Sequence, residues 1–412
     1  MIKFLNQFSV IHLISLSLII RIVAFIFFSD TELVHEWAII IHNFEVTGVF
    51  GIYVVENDFL ANPKSAETGE KVLPSVFMPP LYYYFIFLIK YFAGGLINFI
   101  DLIIIIQIII SLVSIYIFFR ILELFAEREL TICITLIFAL FPINVYSATQ
   151  ISSITLQIFL ILCFFFYLIR FQSEKKLVFL ILFSFFSGLL MYIRGEFFLF
   201  YFLTLIYFSI YLKKDFKNII VSLIITLLTI SPYLKRNFDL FESITLTKSS
   251  GYNLLKGNNP QFKIEGNAAF IETEFPREKL NFKADNKYEI KLDNFYKQKA
   301  FEYIKSDPIK YLYFYFLKII SFIFLDFTST AVNYFNIFHL FPKIAVSILS
   351  LFGAIISLKK RGFFQFLALY YFANILLFSA FFILPRYSLI LLPIQLLLSI
   401  KLIKFLQRKL SN

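Results

Sequence analysis

Residues 8–36 read FSVIHLISLSLIIRIVAFIFFSDTELVHE: an apolar run from Phe8 to Phe28 broken once by Arg21, then the acids Asp30, Glu32 and Glu36. A helix crosses a bilayer with about 20 apolar residues, within a range of roughly 17–25. The run fits that length. It is too long for a secretory leader and has no small-residue cleavage site before Asp30, so with Lys3 ahead of it the segment is an uncleaved first span. Later apolar runs end differently, in clusters of bases: Arg120/Arg128, Arg170/Lys175/Lys176, Lys213/Lys214/Lys217, Lys359/Lys360/Arg361 and the Lys401–Lys409 tail. Clustered bases beside short loops mark the cytoplasmic face, which puts both termini inside and the first acidic loop outside.

Composition agrees. The chain has 412 residues, 59% hydrophobic and 16% charged, against roughly 45–50% and about 25% for a soluble domain. This points to an integral membrane protein. The net charge of +11 is accounted for by cytoplasmic-loop bases facing anionic headgroups, without a nucleic-acid partner. Cys133 and Cys163 both lie inside apolar runs, so neither a disulfide nor thiol chemistry is expected.

The spans expected are 7–28, 102–120, 130–148, 154–170, 177–193, 197–212, 218–234, 343–358, 363–383 and 388–405. The fold class is therefore an all-α polytopic membrane protein of about ten transmembrane helices. Counting 79–97 as a crossing would invert every later loop and push the basic clusters outside; it is read as an interfacial or re-entrant helix. The same reading is open for 310–327. Three parts follow: a transmembrane module over 1–234, containing the first outer loop 29–78 and the interfacial helix 79–97; an extracytoplasmic loop over 235–309; and C-terminal membrane helices over 310–412. Within the first loop Leu33, Trp37, Ile40/Ile41 and Phe44 recur at helical spacing, with Glu32, Glu36 and Asn43 opposite. That pattern predicts an amphipathic interfacial helix ended by Gly48.

Four groups carry possible chemistry. Asp30 stands at the expected cap of the amphipathic helix, with Glu32 and Glu36 four apart on one face. Capping and the helix dipole explain such acids without any catalysis. Their emergence at the bilayer surface instead suits a base that takes a proton from an acceptor hydroxyl. Around Pro79-Pro80 the tyrosines, Tyr82 among them, read first as an interfacial aromatic belt. Arg194 with Glu196, Lys235-Arg236-Asn237, and Arg386-Tyr387 follow span ends on the face without basic clusters. One such arginine snorkels to headgroups; three favour a phosphate site. Finally, Ser249-Ser250-Gly251-Tyr252-Asn253 and Lys256-Gly257-Asn258-Asn259-Pro260 read locally as turns, while their hydrogen-bonding density also suits sugar hydroxyls. His12, His35, His42 and His339 are scattered, and no metal-ligand spacing, nucleotide-binding glycine loop or nucleophile motif is present. No metal and no cofactor are expected.

These motifs together resemble GT-C glycosyltransferases. The shared features are an acid just after the first span, a Pro-Pro-Leu-Tyr segment closing the first outer loop, and Arg194-Gly195-Glu196 at a span end. The nearest resemblance is to the bacterial branch similar to protein mannosyltransferases and lipid A aminoarabinose transferases, in which Arg236-Asn237-Phe238, the Ser-Gly-Tyr-Asn-Leu and Gly-Asn-Asn-Pro runs, and Arg386-Tyr387 with Pro393 have counterparts. The resemblance implies an inverting transfer of a sugar from a polyprenyl-phosphate donor to a lipid, glycan or protein acceptor, with Asp30 as base, assisted by Glu32 or Glu36. Arg194, Arg236 and Arg386 would hold the departing phosphate, and Glu196, Tyr82, Asn258 and Asn259 would complete substrate binding. One departure stands out. Aminoarabinose transferases carry a basic residue just before the proline motif, and here Phe77-Met78 leaves the phosphate contact to the arginines. The implied location is the cell inner (cytoplasmic) membrane of the cell envelope, multi-pass, with the site on the extracytoplasmic face. The competing reading is a transporter or lipid flippase. Its charged groups belong near the midplane, where this chain has little beyond Gln107, Gln157 and Arg21.

Overall fold

The computed structural model describes residues 9–95, 97–211, 216–330 and 334–410; Lys3, Lys213 and Lys214 lie outside the described residues. The first span is α1 (Val10–Phe28), which buries only the stripe Leu13, Ser17, Arg21 and Ala24. Its other faces stay apolar and exposed, as suits a helix in lipid. Arg21 does not snorkel. Its Nε donates to Ser111 Oγ at 2.9 Å, and one terminal nitrogen donates to the carbonyls of Ser17 and Ala139 at 3.3 and 3.1 Å.

The amphipathic helix forms as α2 (His35–Thr47), closed by Gly48, whose φ of 72° only glycine adopts freely. Two expectations are corrected here. The helix is preceded by Val34, so Asp30 caps nothing in it, and Glu32 lies before its first turn rather than on a shared face with Glu36. Asn43 is not on a polar face either. It is fully buried, donating to Gly51 O and Lys64 O at 2.9 and 3.1 Å and accepting from Ala66 N at 2.7 Å. Those bonds hold a feature that the all-α expectation omitted: an antiparallel sheet of β1 (Tyr53–Asn57), β2 (Leu60–Pro63) and β3 (Val72–Leu73), in the order β2-β1-β3. The aromatic and β-branched run Tyr53-Val54-Val55 forms its centre.

Proline opens α3 (Pro80–Ala93), where its missing N–H costs nothing. Then come α4 (Phe99–Leu122), α5 (Arg128–Leu140) and α6 (Pro142–Ser147). The expected span 130–148 is thus broken at Phe141-Pro142, because a proline there can give no hydrogen bond to the preceding turn. The chain continues through α7 (Ile154–Glu174), α8 (Leu177–Ile193), α9 (Phe197–Tyr211) and α10 (Phe216–Phe241). Among the described residues α1, α4, α7, α10 and a later helix, Ile337–Leu358, are long and apolar enough to cross a membrane, while α8, α9 and Phe363–Ser379 are shorter apolar helices. The centre of the bundle is α7, with 78% of its apolar window buried.

Beyond α10 lie α11 (Ser250–Gly257), α12 (Ala268–Glu274) and α13 (Tyr288–Ser306), followed by α14 (Pro308–Ile323), α15 (Ile337–Leu358), α16 (Phe363–Ser379), α17 (Pro385–Leu389) and α18 (Leu392–Leu410). At 1.5 Å per residue α3 and α14 reach only about 21 and 24 Å, short of the ~30 Å hydrocarbon core. The polar 235–309 segment and the first loop form one cap. Ala284 N donates to Asp58 O at 2.7 Å, and the rings of Tyr53 and Tyr288 meet edge to face at 5.6 Å. Gly251 lets α11 close on α13, since a Cβ there would fall 1.8 Å from the carbonyl oxygen of Asp293.

Candidate active site

Where α8 stops, Arg194 turns the backbone to an extended conformation and Gly195 begins the bend into α9. The bend opens a cleft of about 790 Å3 between the end of α8, α9, α10 and α16. Its walls are apolar, Met191, Leu199, Phe202, Leu227, Ile230 and Phe381 among them, and one end is polar, with Arg194, Glu196, Thr247 and Asn253. Phe202 and Leu227 are 51% and 54% exposed, so the cleft opens sideways between α9 and α10. An apolar trough ending in an arginine suits an amphiphile with an anionic head.

Arg194 is held on several sides. Its Nε donates to Gln157 Oε1 at 3.3 Å, a terminal nitrogen pairs with Glu196 at 3.1 Å, and the guanidinium lies 5.1 Å from the ring of Tyr387 and 5.6 Å from that of Phe378. Two of the three guanidinium nitrogens are thus engaged within the protein, which fixes the orientation of the group. Asp30 reaches the same helix end: its Oδ2 accepts from Ile151 N at 2.7 Å, just before α7, which also carries Gln157. Gln157, six residues beyond Ile151, carries the contact to Arg194, while Asp30 itself is not among the residues that line the cleft.

The other expected residues divide. Burial, then the charge of Asp30, pushes the Tyr82 phenol well up. Tyr82 is itself buried, with its hydroxyl donating to Gln107 at 2.9 Å. Lys256, in the last of the four groups read from the sequence, feels the charges of both Glu36 and Arg386: burial first and then Arg386 lower its ammonium, while Glu36 acts the other way. Glu32 is exposed. Arg236 lies outside the cleft lining and donates to Ser75 O at 3.3 Å and Asn237 Oδ1 at 2.7 Å. Beyond Ser75, Glu289 accepts from Ser75 Oγ at 2.6 Å and Val76 N at 2.7 Å, so the strand leading to α3 is clamped from both sides. Asn258 and Asn259 are buried and committed. Asn258 donates to Leu254 O and Ala380 O and accepts from Lys318 Nζ at 2.9 Å, while Asn259 donates to Leu255 O and Lys256 O.

A smaller chamber of about 170 Å3 adjoins the cleft, bordered by Glu36, Tyr53, Lys248, Tyr252, Glu272 and Arg277 together with Glu289, Asp293 and Tyr296. Of these only Glu36 and Tyr252 stood in a group read from the sequence. The rest come from segments far apart in sequence and meet only in the fold. Among the described residues no group of three or more His, Cys, Asp or Glu side chains could hold a metal ion.

No family model and no curated protein matches the chain. Solved structures do, two archaeal ones among them. One is the archaeal oligosaccharyltransferase AglB from Archaeoglobus fulgidus in complex with an inhibitory peptide and a dolichol-phosphate, at 12% identity and a TM-score of 0.55, covering 98% of this chain and 51% of that one. The other is the oligosaccharyltransferase of the same organism in its apo form, at 12% identity and a TM-score of 0.52, covering 98% and 52%. The chain spans about half the length of these proteins. At this identity the likeness shows that the chain shares the fold of about half of each of these proteins, and nothing beyond the fold.

Proposed function

We propose that the chain is an inverting glycosyltransferase that moves a sugar from a polyprenyl-phosphate donor to a lipid, glycan or protein acceptor. It would work at the outer face of the cytoplasmic membrane, in a chain of about ten spans with both termini inside. The observation that carries the reading is the cleft: an apolar trough open to the side whose polar end holds Arg194 and Glu196. The shared fold supports it, as does the dolichol-phosphate bound to the archaeal neighbour.

In this reaction the bond from the sugar's anomeric carbon to the phosphate oxygen breaks. The acceptor oxygen bonds to that carbon from the opposite side, and Asp30 takes the acceptor proton. The phosphate leaves as an anion and needs cations more than a general acid; Arg194 supplies a fork for it. Base assistance contributes typically about 10²–10⁴-fold. Sugar transfer in membranes supplied with radiolabelled polyprenyl-phosphate sugars tests the reading, comparing wild type with Asp30→Asn at matched expression. Label moving only with the wild type supports it. Equal transfer by both moves the base to Glu36, and absence of transfer from every donor tried overturns the reaction.

A further inference from the structure

The chamber of about 170 Å3 has room for about six waters, the size class of one sugar ring. It is separated from the lipid cleft by a single stretch of chain: Thr247, Ser249, Ser250 and Asn253 line the cleft, and Lys248 and Tyr252 line the chamber. Its charged lining falls into two sets. The carboxylates of Glu289 and Asp293 are consumed by the fold, the first by Ser75 and Val76, the second by the backbone N–H groups of Gly251 and Tyr252 at 2.6 and 3.2 Å. In the other set Glu36 and Glu272 are exposed, Lys248 is half-buried, and among the described residues Arg277 is engaged only by the phenol of Tyr296 and the ring of Tyr53. Although opposite charges border one small space, none of the four forms an ion pair among the described residues. Arg277 is steadied by the ring of Tyr53 at 5.4 Å, and its Nε has no hydrogen-bond partner. Buried polar atoms without partners are rare enough to need a cause.

The lining selects among ligands. An anion would meet Glu36 and Glu272, a cation would meet Lys248 and Arg277, and an apolar group would offer the half-buried Lys248 and Arg277 no partner. A sugar hydroxyl both donates and accepts, so it can bridge a carboxylate and a cation at once. The C–H face of the ring suits an aromatic lining, here Tyr252 and Tyr296. We infer that the chamber holds one uncharged, hexose-sized sugar ring of the acceptor. The assignment to the acceptor rests on the glycosyl-transfer reading, in which donor lipid and phosphate occupy the cleft across the wall. The ring held here is a binding portion of the acceptor bordered by Glu36 and does not carry the hydroxyl that Asp30 would deprotonate, since Asp30 does not border the chamber.

Saturation-transfer NMR on the full chain in nanodiscs provides the test. The probes are the methyl pyranosides of glucose, galactose, mannose and N-acetylglucosamine, with a blocked Ala-Ser-Ala tripeptide alongside. The fluorescence of Trp37, the single tryptophan and the neighbour of Glu36, gives a second readout. At least one glycoside is expected to bind, and Tyr252→Ala and Arg277→Gln to weaken it at least about tenfold. Because Arg277 also packs on Tyr53, the exposed Glu272→Gln provides a variant with no packing role; it should weaken binding while leaving thermal unfolding unchanged. No glycoside binding, binding that all three variants retain, or preference for the tripeptide would overturn the inference. Variant-sensitive glycoside binding in a protein that transfers no sugar would sink the reaction and keep the chamber. Transfer whose acceptor KM ignores the variants would do the reverse.

Discussion

Asp30 Oδ2 accepts the backbone N–H of Ile151 at 2.7 Å, across 121 positions of sequence, while its own N–H donates to Thr149 O at 3.2 Å. The first outer loop is thereby fixed to the approach of the central helix. One carboxylate oxygen serves the fold. Asp30→Asn keeps an oxygen for Ile151, so its thermal unfolding should match wild type, while sugar transfer falls by about 10²–10⁴-fold. Asp30→Ala loses the hydrogen bond as well, at a cost of about 1–3 kcal/mol. Transfer and melting measured on both variants separate the two roles.

The arginines at span ends should part company in the same way. Arg194 borders the cleft, whereas Arg236 holds the carbonyl of Ser75. A lysine keeps the charge and loses the planar fork. Arg194→Lys should therefore raise the KM for donor by about tenfold with little change in melting, since tenfold matches the loss of one charged hydrogen bond. Arg236→Lys should lower the melting temperature and leave the donor KM near wild type. Equal effects of both on donor KM would return Arg236 to the phosphate.

How much of this was legible in the sequence follows from the range of each force. Span ends were readable because hydrophobic length and loop charge are local: α1, α4 and α7 appear close to where the apolar runs put them. Proline acts locally too, yet Pro142 was absorbed into an apolar run and its break was missed. Asn43 misled for the opposite reason. An asparagine on a helix looks solvated until a distant loop supplies partners, and here Gly51, Lys64 and Ala66 do so. The small sheet depends on those contacts and escaped notice with them. In the site, Arg194 and Glu196 could be nominated because both sit at one span end. Lys248, Tyr252 and Arg277 meet only after α11 and the 277–279 turn fold against the sheet.

The Gly-Asn-Asn-Pro loop provides a prediction about stability. Lys318 is buried, and its ammonium is held by Asn258 Oδ1 at 2.9 Å and by the carbonyls of Gly257 and Phe381 at 3.2 and 2.6 Å. Asn258→Ala removes one acceptor from a buried cation and two donations to Leu254 and Ala380. Hydrogen bonds to charged groups contribute about 1.5–3 kcal/mol, so a loss of that size is expected, read by denaturant unfolding in detergent. Donor KM should stay unchanged in the surviving folded protein. A rise in donor KM without loss of stability would restore Asn258 to substrate binding.

Glu289 sets a pH dependence whose sign can be worked out. Burial pushes its carboxyl up from 4.5 to about 7, against the donations of Ser75 and Val76 and the charge of Arg236. The folded protein thus holds this proton more tightly than the unfolded chain does. Its contribution to stability is fully present below about pH 4.5 and is lost as pH rises through about 7. The clamp on Ser75-Val76 should accordingly loosen between about pH 5 and pH 8, seen as faster amide exchange at Val76 and Phe77 after correction for intrinsic rates. Glu289→Gln cannot titrate and should flatten that profile. Arg236→Gln removes a charge that favours the carboxylate, so the proton should be held to still higher pH and the loosening shift upward. A wild-type profile already flat over this range would show that Glu289 keeps one protonation state throughout, and the clamp would then be insensitive to pH.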